Sequence, residues 1–395
     1  MNRHFLRDIA DIQTGPFGSQ LHKEDYVDIG TPIVTVEHLG NRIFTEQNLP
    51  KVSDEDKARL SKYVLKEGDI VFSRVGSVDR CSYVDDAHDG WMFSGRCLRV
   101  RPNTEVDPLY LYYFFCLEDT KQFVRNIAVG ATMPSINTKL LGEVEVVYPS
   151  QREQQKIVAL LSALDDKIEI NQKINDNLEQ QVQAYFQELF VDNADPAWTL
   201  GTISDLGTVV GGSTPSKSKP EYYTEDGIAW ITPKDLSINK AKFISHGEND
   251  ITELGLKNSS ASIMPEGTVL FSSRAPIGYI AIASGEVTTN QGFKSVVPKP
   301  GIGTAYVYCF LKHNLPVIEG MASGSTFKEV SGSTMKNVPA VIPDTETLTC
   351  FNDFCAPIFA HQRILEEQNQ SLAALRDSLL PKLMSGEIDV SAIQL

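Results

Sequence analysis

The chain is poor in the features that mark several common protein classes. No run of about 18 apolar residues occurs in its 395 positions, so no membrane-spanning helix is expected. The opening MNRHFLRDIADIQTG has no apolar core of a secretory signal. There are six cysteines (Cys81, Cys97, Cys116, Cys309, Cys350 and Cys355) and no CxxC pair. They read as free thiols of a cytosolic protein, which argues against disulfides and against a zinc site. No Pro-Pro dipeptide exists, so an (N/D)PP(Y/F) amino-methylation motif is missing. No GxxxxGK(S/T) phosphate loop is present. Pro343-Asp344 has no acid-x-Lys at a useful distance, and the seven histidines form no HExxH. Catalytic, cofactor-binding and metal-binding residues are therefore expected to be absent.

Positive charge is also scarce. The net charge is −15, which taken alone argues against nucleic-acid binding, because phosphate neutralisation supplies non-specific affinity. The imbalance is uneven. Residues 151–195 are strongly acidic, whereas Arg74, Arg80, Arg96, Arg99 and Arg101 cluster in a balanced stretch. DNA could be bound only through local basic faces or with a more basic partner.

What is present is present twice. Ile9-Ala10-Asp11-Ile12 answers to Ile203-Ser204-Asp205-Leu206 and Gly130-Ala131-Thr132 to Gly324-Ser325-Thr326, each 194 positions later. Val144, Val147, Pro149, Asn175, Leu178 and Leu189 recur at the same interval. Between these stretches the register slips, since Glu67-Gly68 answers to Glu266-Gly267. Two similar modules with approximate two-fold character are implied, and that symmetry matches a duplex read at two separated sites.

Each copy has a β-rich part and a helical part. Short apolar runs between turn residues, such as Gly68-Asp69-Ile70-Val71-Phe72-Ser73 and Gly267-Thr268-Val269-Leu270-Phe271-Ser272, predict strands. One helix is expected near 108–125 and one near 304–319. From Gln151 to Phe190 there is no Gly or Pro, and Ile157, Leu161, Leu164, Ile168, Asn171, Asn175, Leu178, Val182, Tyr185 and Leu189 alternate gaps of four and three. That is a heptad seam. Its weaker counterpart runs Phe351, Cys355, Ile358, Gln362, Leu365, Asn369, Leu372, Arg376, Leu379, Leu383, with Pro357 expected at the helix start and Pro381 near its end or at a kink. Asn175 and Asn369 hold equivalent positions, where a buried Asn would fix register.

The expected fold is α+β: β-rich modules at 1–150 and 193–346, joined by long helices at 151–192 and 347–395. The helices are expected to pair as an antiparallel coiled coil with pseudo-two-fold symmetry. Each of about 35 residues would span roughly 50 Å and act as a spacer bar. Packing of each helix on its own module is the alternative.

Three recurrent elements carry candidate chemistry. Gly-rich polar loops precede the first strand of each module: Thr14, Phe17, Ser19 and Gln20 in one, Ser213, Thr214, Ser216, Lys217 and Lys219 in the other. Hydroxyls, free N–H groups and lysines there suit phosphate, or the loops are merely solvated turns. Ser73, Arg74, Ser77 and Arg80, with Arg96, follow an apolar strand, as Arg274 does in the second copy; an arginine so placed can read guanine or phosphate, or can hold its turn. Thr232 and Lys234 are contact candidates, as are Asn290 and Gln291, while Trp230 reads as core.

These motifs resemble a known family. GGSTPSKSKPEYY, GIAWITPKDL, EGTVLFSSRAPIGYIAIA and NQGFK are similar to one variety of the target-recognition domain of type I restriction-modification specificity subunits. TGPFGSQL, GTPIVTVEHL and EGDIVFSRVGSV resemble the other variety, with Val78-Asp79 where the family often carries glycine. PSQREQQKIVALLSALDDKIEINQKIN and HQRILEEQNQSLAALRDSLLPKLMSGEI resemble its central and C-terminal spacer helices. The resemblance implies a non-catalytic, cytoplasmic DNA-recognition subunit. Each domain would read one half of an asymmetric bipartite target in double-stranded DNA. Two methyltransferase subunits would dock on the spacer, and translocase-nuclease subunits would complete a restriction enzyme. S-adenosylmethionine, Mg and ATP are expected on those partners and no cofactor on this chain. A single-chain enzyme and a coiled-coil scaffold without DNA specificity are the competing readings.

Overall fold

The computed structural model describes residues 1–18, 20–324 and 328–391. Two compact units result, residues 1–168 with 371–395 and residues 169–370, and each holds one β-rich module with a part of both long helices.

In the first unit, Asn2–Phe5 pairs antiparallel with Glu145–Tyr148. One four-stranded sheet runs in the order Ala10–Thr14, Cys97–Pro102, Ile70–Ser73, Cys81–Tyr83. The other runs Tyr26–Val27, Lys51–Val52, Thr31–Val34, Met92–Phe93, and its last pairing is parallel. Side chains alternate along a strand, so a strand buried on both faces reads as an unbroken apolar run. Ile70–Ser73 is such a strand: Ile70 and Phe72 enter one core with Leu98 and Tyr110, while Val71 enters another with Ile33 and Phe93.

The second unit repeats this plan. Thr199–Thr202 pairs with Pro339–Ile342; Gly207–Gly211, Lys294–Pro298, Val269–Ser273 and Ile277–Ala283 form the larger sheet. Val269 and Phe271 face one core and Leu270 the other. An additional short strand, Phe243–Ile244, lies parallel to Ile277–Ala283 at the edge. The segment that leads into it has a counterpart in the first module, since Ile282 N–H donates to the Lys242 carbonyl as Tyr83 N–H does to that of Arg42.

The repeat is not at one interval throughout. Phe5 and Thr202 end equivalent strands, 197 positions apart, whereas their partners Glu145 and Pro339 are 194 apart. The short helix Leu6–Ile9 corresponds to Ile203–Leu206. The match of Ile9–Ile12 to Ile203–Leu206 is thus a chance likeness, displaced by three residues from the structural equivalence.

Each module carries an apolar helix, Pro108–Cys116 and Thr304–His313, buried around most of its circumference. Asp107 caps the first, accepting from the N–H groups of Leu109 and Tyr110 at 2.9 and 3.0 Å. Tyr110 and Tyr306 donate to the carbonyls of Val147 and Val341 at 3.2 and 2.8 Å, tying the helix to the terminal strand in both copies. Neither helix runs unbroken over the range expected for it, 108–125 or 304–319. Leu117 adopts an extended ψ of 134° before Glu118–Ile127 begins. In the second copy Pro316 has no N–H to continue the ladder, and Leu315–Gly320 starts afresh.

The central helix runs Gln151–Gln187 and the C-terminal helix Thr345–Ser385. They pair antiparallel in each unit. In the first, Lys156 donates to the Val390 carbonyl at 3.1 Å and Arg376 meets Asp165 at 2.6 Å. In the second, Asn171 Nδ2 donates to Asn369 Oδ1 at 2.8 Å, Gln362 Nε2 to the Asn175 carbonyl at 3.1 Å, and the Tyr185 ring lies 4.6 Å from that of Phe354. Leu161 and Leu365 are buried; Leu164, Ile168, Leu178, Leu372 and Leu379 are half-buried. The fully buried asparagine is Asn171, not the half-buried Asn175, and Asn369 answers to it across the pair. The C-terminal helix begins at Thr345, twelve residues before the expected start at Pro357. Pro357 is exposed, so the Asp353 carbonyl that it leaves without an intrahelical donor can turn to water.

Candidate nucleic-acid interface

In the first module three loops meet at the end of Ile70–Ser73. A Cβ at Gly15 would lie 2.1 Å from the Ser94 carbonyl oxygen, and one at Gly95 would lie 2.2 Å from that of Pro16. Only glycines let residues 14–18 run backbone to backbone along residues 94–96. Arg74 N–H donates to the Arg96 carbonyl at 2.8 Å, and its guanidinium donates to the Gly95 carbonyl at 3.1 Å. The third loop is a hairpin: Val129 and Ser135 exchange backbone bonds of 2.9 and 2.8 Å, and Ile136 N–H donates to the Arg74 carbonyl at 2.9 Å.

This stitching brings Phe17, Arg74 and Arg96 together. The Phe17 ring is 57% exposed, 6.0 Å from the Arg74 guanidinium. Arg96 is exposed, and neither arginine has a carboxylate partner among the described residues. Ser77 is exposed on the adjoining turn, and Thr14 ends its strand half-buried. Other candidates are engaged within the fold. Ser73 is buried and donates to the Val75 carbonyl at 2.8 Å. Gln20 Oε1 accepts from the Tyr63 hydroxyl at 2.7 Å. Arg80 reaches the Leu39 carbonyl beside Gly40. Ser19 lies outside the described residues. Val78 is buried in the first core and Asp79 pairs with Arg125 at 2.6 Å, which accounts for non-glycine residues there.

The second module has the same construction. A Cβ at Gly212 would lie 2.0 Å from the Asn290 carbonyl oxygen and 2.4 Å from that of Thr289. Ser213 N–H donates to the Thr289 carbonyl at 2.9 Å, and Ser213 in turn accepts from the buried Trp230 indole at 3.0 Å, so Trp230 is core. Thr214 donates to Gln291. Asn290 Oδ1 accepts from Gly292 N–H at 2.8 Å, and its own N–H bonds the Ile231 carbonyl at 3.0 Å. Thr232 caps the helix Pro233–Ile238 through Asp235, and Lys234 pairs with Glu248 at 2.5 Å. Ser216 bonds Ser218 at 2.9 Å and Lys219 lies 3.6 Å from Glu221, while Lys217 is exposed without a partner among the described residues.

The two arginines that follow the apolar strands are not equivalent. Ser273 N–H donates to the Gly292 carbonyl at 2.7 Å and its carbonyl accepts from Val330 N–H at 3.0 Å, the bonds that Arg74 makes with Arg96 and Ile136. Arg274 is therefore one position further on. It faces Glu329 at 3.5 Å, and the same carboxylate stands 3.7 Å from Lys294. Burial pushes the Lys294 ammonium below its ordinary lysine value; Glu329 opposes this and Arg274 adds to it. Lys294 and Glu329 escape a reading by composition because they lie 20 and 55 residues beyond Arg274 and meet it only through the sheet and the hairpin. Among the described residues no group of three His, Cys, Asp or Glu side chains is placed to hold a metal ion, and no helix is long and apolar enough to cross a membrane.

Two modules of similar topology each end a buried strand in a cluster of loops that carries arginine. The family model of the type I restriction modification DNA specificity domain matches residues 2–180 and again 197–368. The chain therefore belongs to that family, with two copies of its domain. It is similar to the type I restriction enzyme MjaIX specificity subunit of Methanocaldococcus jannaschii, 41% identical over 191 residues, 46% of this chain and 44% of that one. It is also similar to the HindI specificity subunit of Haemophilus influenzae, 25% identical across 83% of this chain and 88% of that one. The fold is that of a type I restriction-modification S subunit from M. genitalium, with a TM-score of 0.57 at 18% identity, over 97% of this chain and 95% of that one.

Proposed function

We propose that this chain is the non-catalytic subunit that gives a type I restriction-modification complex its DNA sequence specificity. Residues 1–150 and 193–346 are the two target-recognition domains, each reading one half of an asymmetric bipartite duplex sequence. Residues 151–192 and 347–395 are spacer helices that set the gap and dock two methyltransferase subunits. Translocase-nuclease subunits complete the restriction enzyme. S-adenosylmethionine, Mg and ATP belong to those partners, and the complex works in the cytoplasm, where its DNA is.

The observation that carries this reading is the recurrence, in both modules, of loops stitched to the end of a doubly buried strand and presenting arginine, Arg74 and Arg96 in one case and Arg274, beside the largely buried Lys294, in the other. Base contacts made from such strand ends would specify sequence while phosphate contacts position the duplex. Partner subunits that wrap the DNA supply the basic surface that a chain of net charge −15 lacks. The test is to assemble the chain with its methyltransferase subunits and map methylated adenines by single-molecule sequencing. One asymmetric motif with a fixed internal gap and one modified adenine in each part is expected. Modification without a bipartite motif would sink the proposal.

Arg274→Ala is expected to weaken recognition of the second half-site about tenfold, within the range of a single base-contacting side chain, and to leave base preference at the first half-site as it was. Methylation rates on targets altered in one half-site at a time provide the measurement. Equal loss of discrimination in both halves would assign Arg274 to fold maintenance.

A further inference from the structure

We propose that Glu329 is a specificity-determining residue of the second target-recognition domain: its carboxylate restrains Arg274 and Lys294 from indiscriminate phosphate contact and accepts a hydrogen bond from an exocyclic base amine in the second half-site. This deepens the DNA-reading function above and rests on it.

The inference comes from comparing the modules position by position. The hairpin beside the strand end closes in the same way in both. Val129 and Ser135 exchange backbone bonds in the first; Ser323 and Glu329 do so in the second, at 3.1 and 2.9 Å. The next residue, Ile136 or Val330, bonds the carbonyl at the strand end. Ser135 and Glu329 are therefore counterparts, and their side chains have different surroundings. Ser135 donates to the Val129 carbonyl at 3.2 Å, and no carboxylate pairs with Arg74 or Arg96 among the described residues. Glu329 stands between two cations, with its oxygens 3.5 Å from Arg274 and 3.7 Å from Lys294. The Glu329 and Arg274 side chains are each 38% exposed and face solvent where DNA can reach them, while Lys294 is 15% exposed and also donates to the Gln291 and Phe293 carbonyls at 3.4 and 3.3 Å.

A carboxylate in such a place has two physical consequences. It repels phosphates, which lowers binding to any sequence. It is also an acceptor-only group, matched to the cytosine N4 or adenine N6 amine in the major groove, next to a guanidinium matched to guanine O6 and N7. Discrimination then comes from the repulsive element as well as the attractive one. The first domain has a serine in the equivalent place and, among the described residues, no carboxylate beside Arg74 or Arg96.

The experiment uses the full chain assembled with its methyltransferase subunits. Glu329→Gln keeps the shape and removes the charge; Glu329→Ser installs the counterpart residue. Binding is measured on duplexes lacking the target across a salt series, and modification on a library randomised in each half-site. Both variants are expected to bind non-target duplex several-fold more tightly, with a steeper salt dependence. Discrimination at one base pair of the second half-site should fall tenfold or more, with the first half-site untouched. The reciprocal Ser135→Glu should weaken non-target binding and alter preference in the first half-site only. Melting should be unchanged in all three. Second-half-site preferences identical to the parent in Glu329→Gln overturn the proposal, whatever happens to affinity. A parent complex without bipartite preference would instead overturn the function on which it rests.

Discussion

Glu179→Gln should destabilise the second unit by about 3 kcal/mol at neutral pH, because it strips a buried cation of its partner. Glu179 projects from the central helix to Lys242, to Lys312 at 2.6 Å and to the Tyr308 hydroxyl at 3.3 Å. Lys242 stands where Arg42 stands in the first module, its carbonyl accepting from Ile282 N–H as that of Arg42 does from Tyr83 N–H, and it is 8% exposed. Its ammonium donates to Gln362 Oε1 at 2.6 Å and lies 4.0 Å from the Phe359 ring centre. The main chain there is held by Glu366, which accepts from the N–H groups of Lys242 and Phe243 at 2.8 and 3.0 Å. Burial pushes the Glu179 carboxyl up, but Lys242 and Lys312 outweigh it and bring it down to about 2. The sign follows. A carboxylate held below its ordinary value of 4.5 stabilises the folded state fully above that value and progressively less as pH falls towards 2. Wild type and variant should therefore differ most near pH 7 and converge near pH 2–3. Urea unfolding of the full chain, followed by hydrogen exchange within residues 169–370, measures this. A Glu179→Gln, Lys242→Met pair should recover most of the loss, since an apolar side chain of similar size needs no counter-charge. A difference that is equal at pH 3 and pH 7 would show that the carboxylate charge is not responsible.

The second large effect is expected from removing both arginines of the first domain's loop cluster. Arg74→Ala with Arg96→Ala should reduce binding and modification of the first half-site roughly a hundredfold, two side chains each able to contribute at the scale of a base or phosphate contact. Arg74 is preorganised: its backbone is held on both sides, and its guanidinium is pinned to the Gly95 carbonyl next to Phe17. Arg96 is exposed on the facing turn. Base preference at the second half-site should persist in what modification remains. The salt dependence of binding should also become shallower, by about one counterion for each arginine that touches phosphate. Parental modification of the first half-site by the double variant would remove this cluster from the interface.

Much of the architecture could be read from the letters because it rests on periodicity. The gaps of four and three from Ile157 to Leu189 are a local property of a helix, and Val182 is buried where that spacing puts it. Strands with two buried faces announced themselves as apolar runs such as Ile70–Phe72. What escaped depends on contacts between distant residues. Pro357 signals a helix start by local chemistry, yet tertiary packing of Leu348, Phe351 and Cys355 extends the helix N-terminal to it. The registers of the two modules differ by 197 at one end and 194 at the other because residues inserted in the middle are outweighed by residues lost elsewhere, and short look-alike strings hide this. Lys242, Lys294 and Glu329 look like ordinary surface charges in sequence; only the fold places each beside an opposite charge.

The one-residue stagger between Arg74 and Arg274 bears on any attempt to re-engineer such readers. Both arginines lie in the turns beyond their strands, and because Arg74 takes the main-chain place of Ser273, exchanging loops by lining up the Ser-Arg letters would shift the graft by one residue against its main-chain bonds. Grafts should instead be cut where the main-chain bonding agrees, Arg74 onto Ser273 and Ser135 onto Glu329. A table of recognition rules compiled from aligned letters would assign the same role to two side chains that hold different places in the main-chain framework.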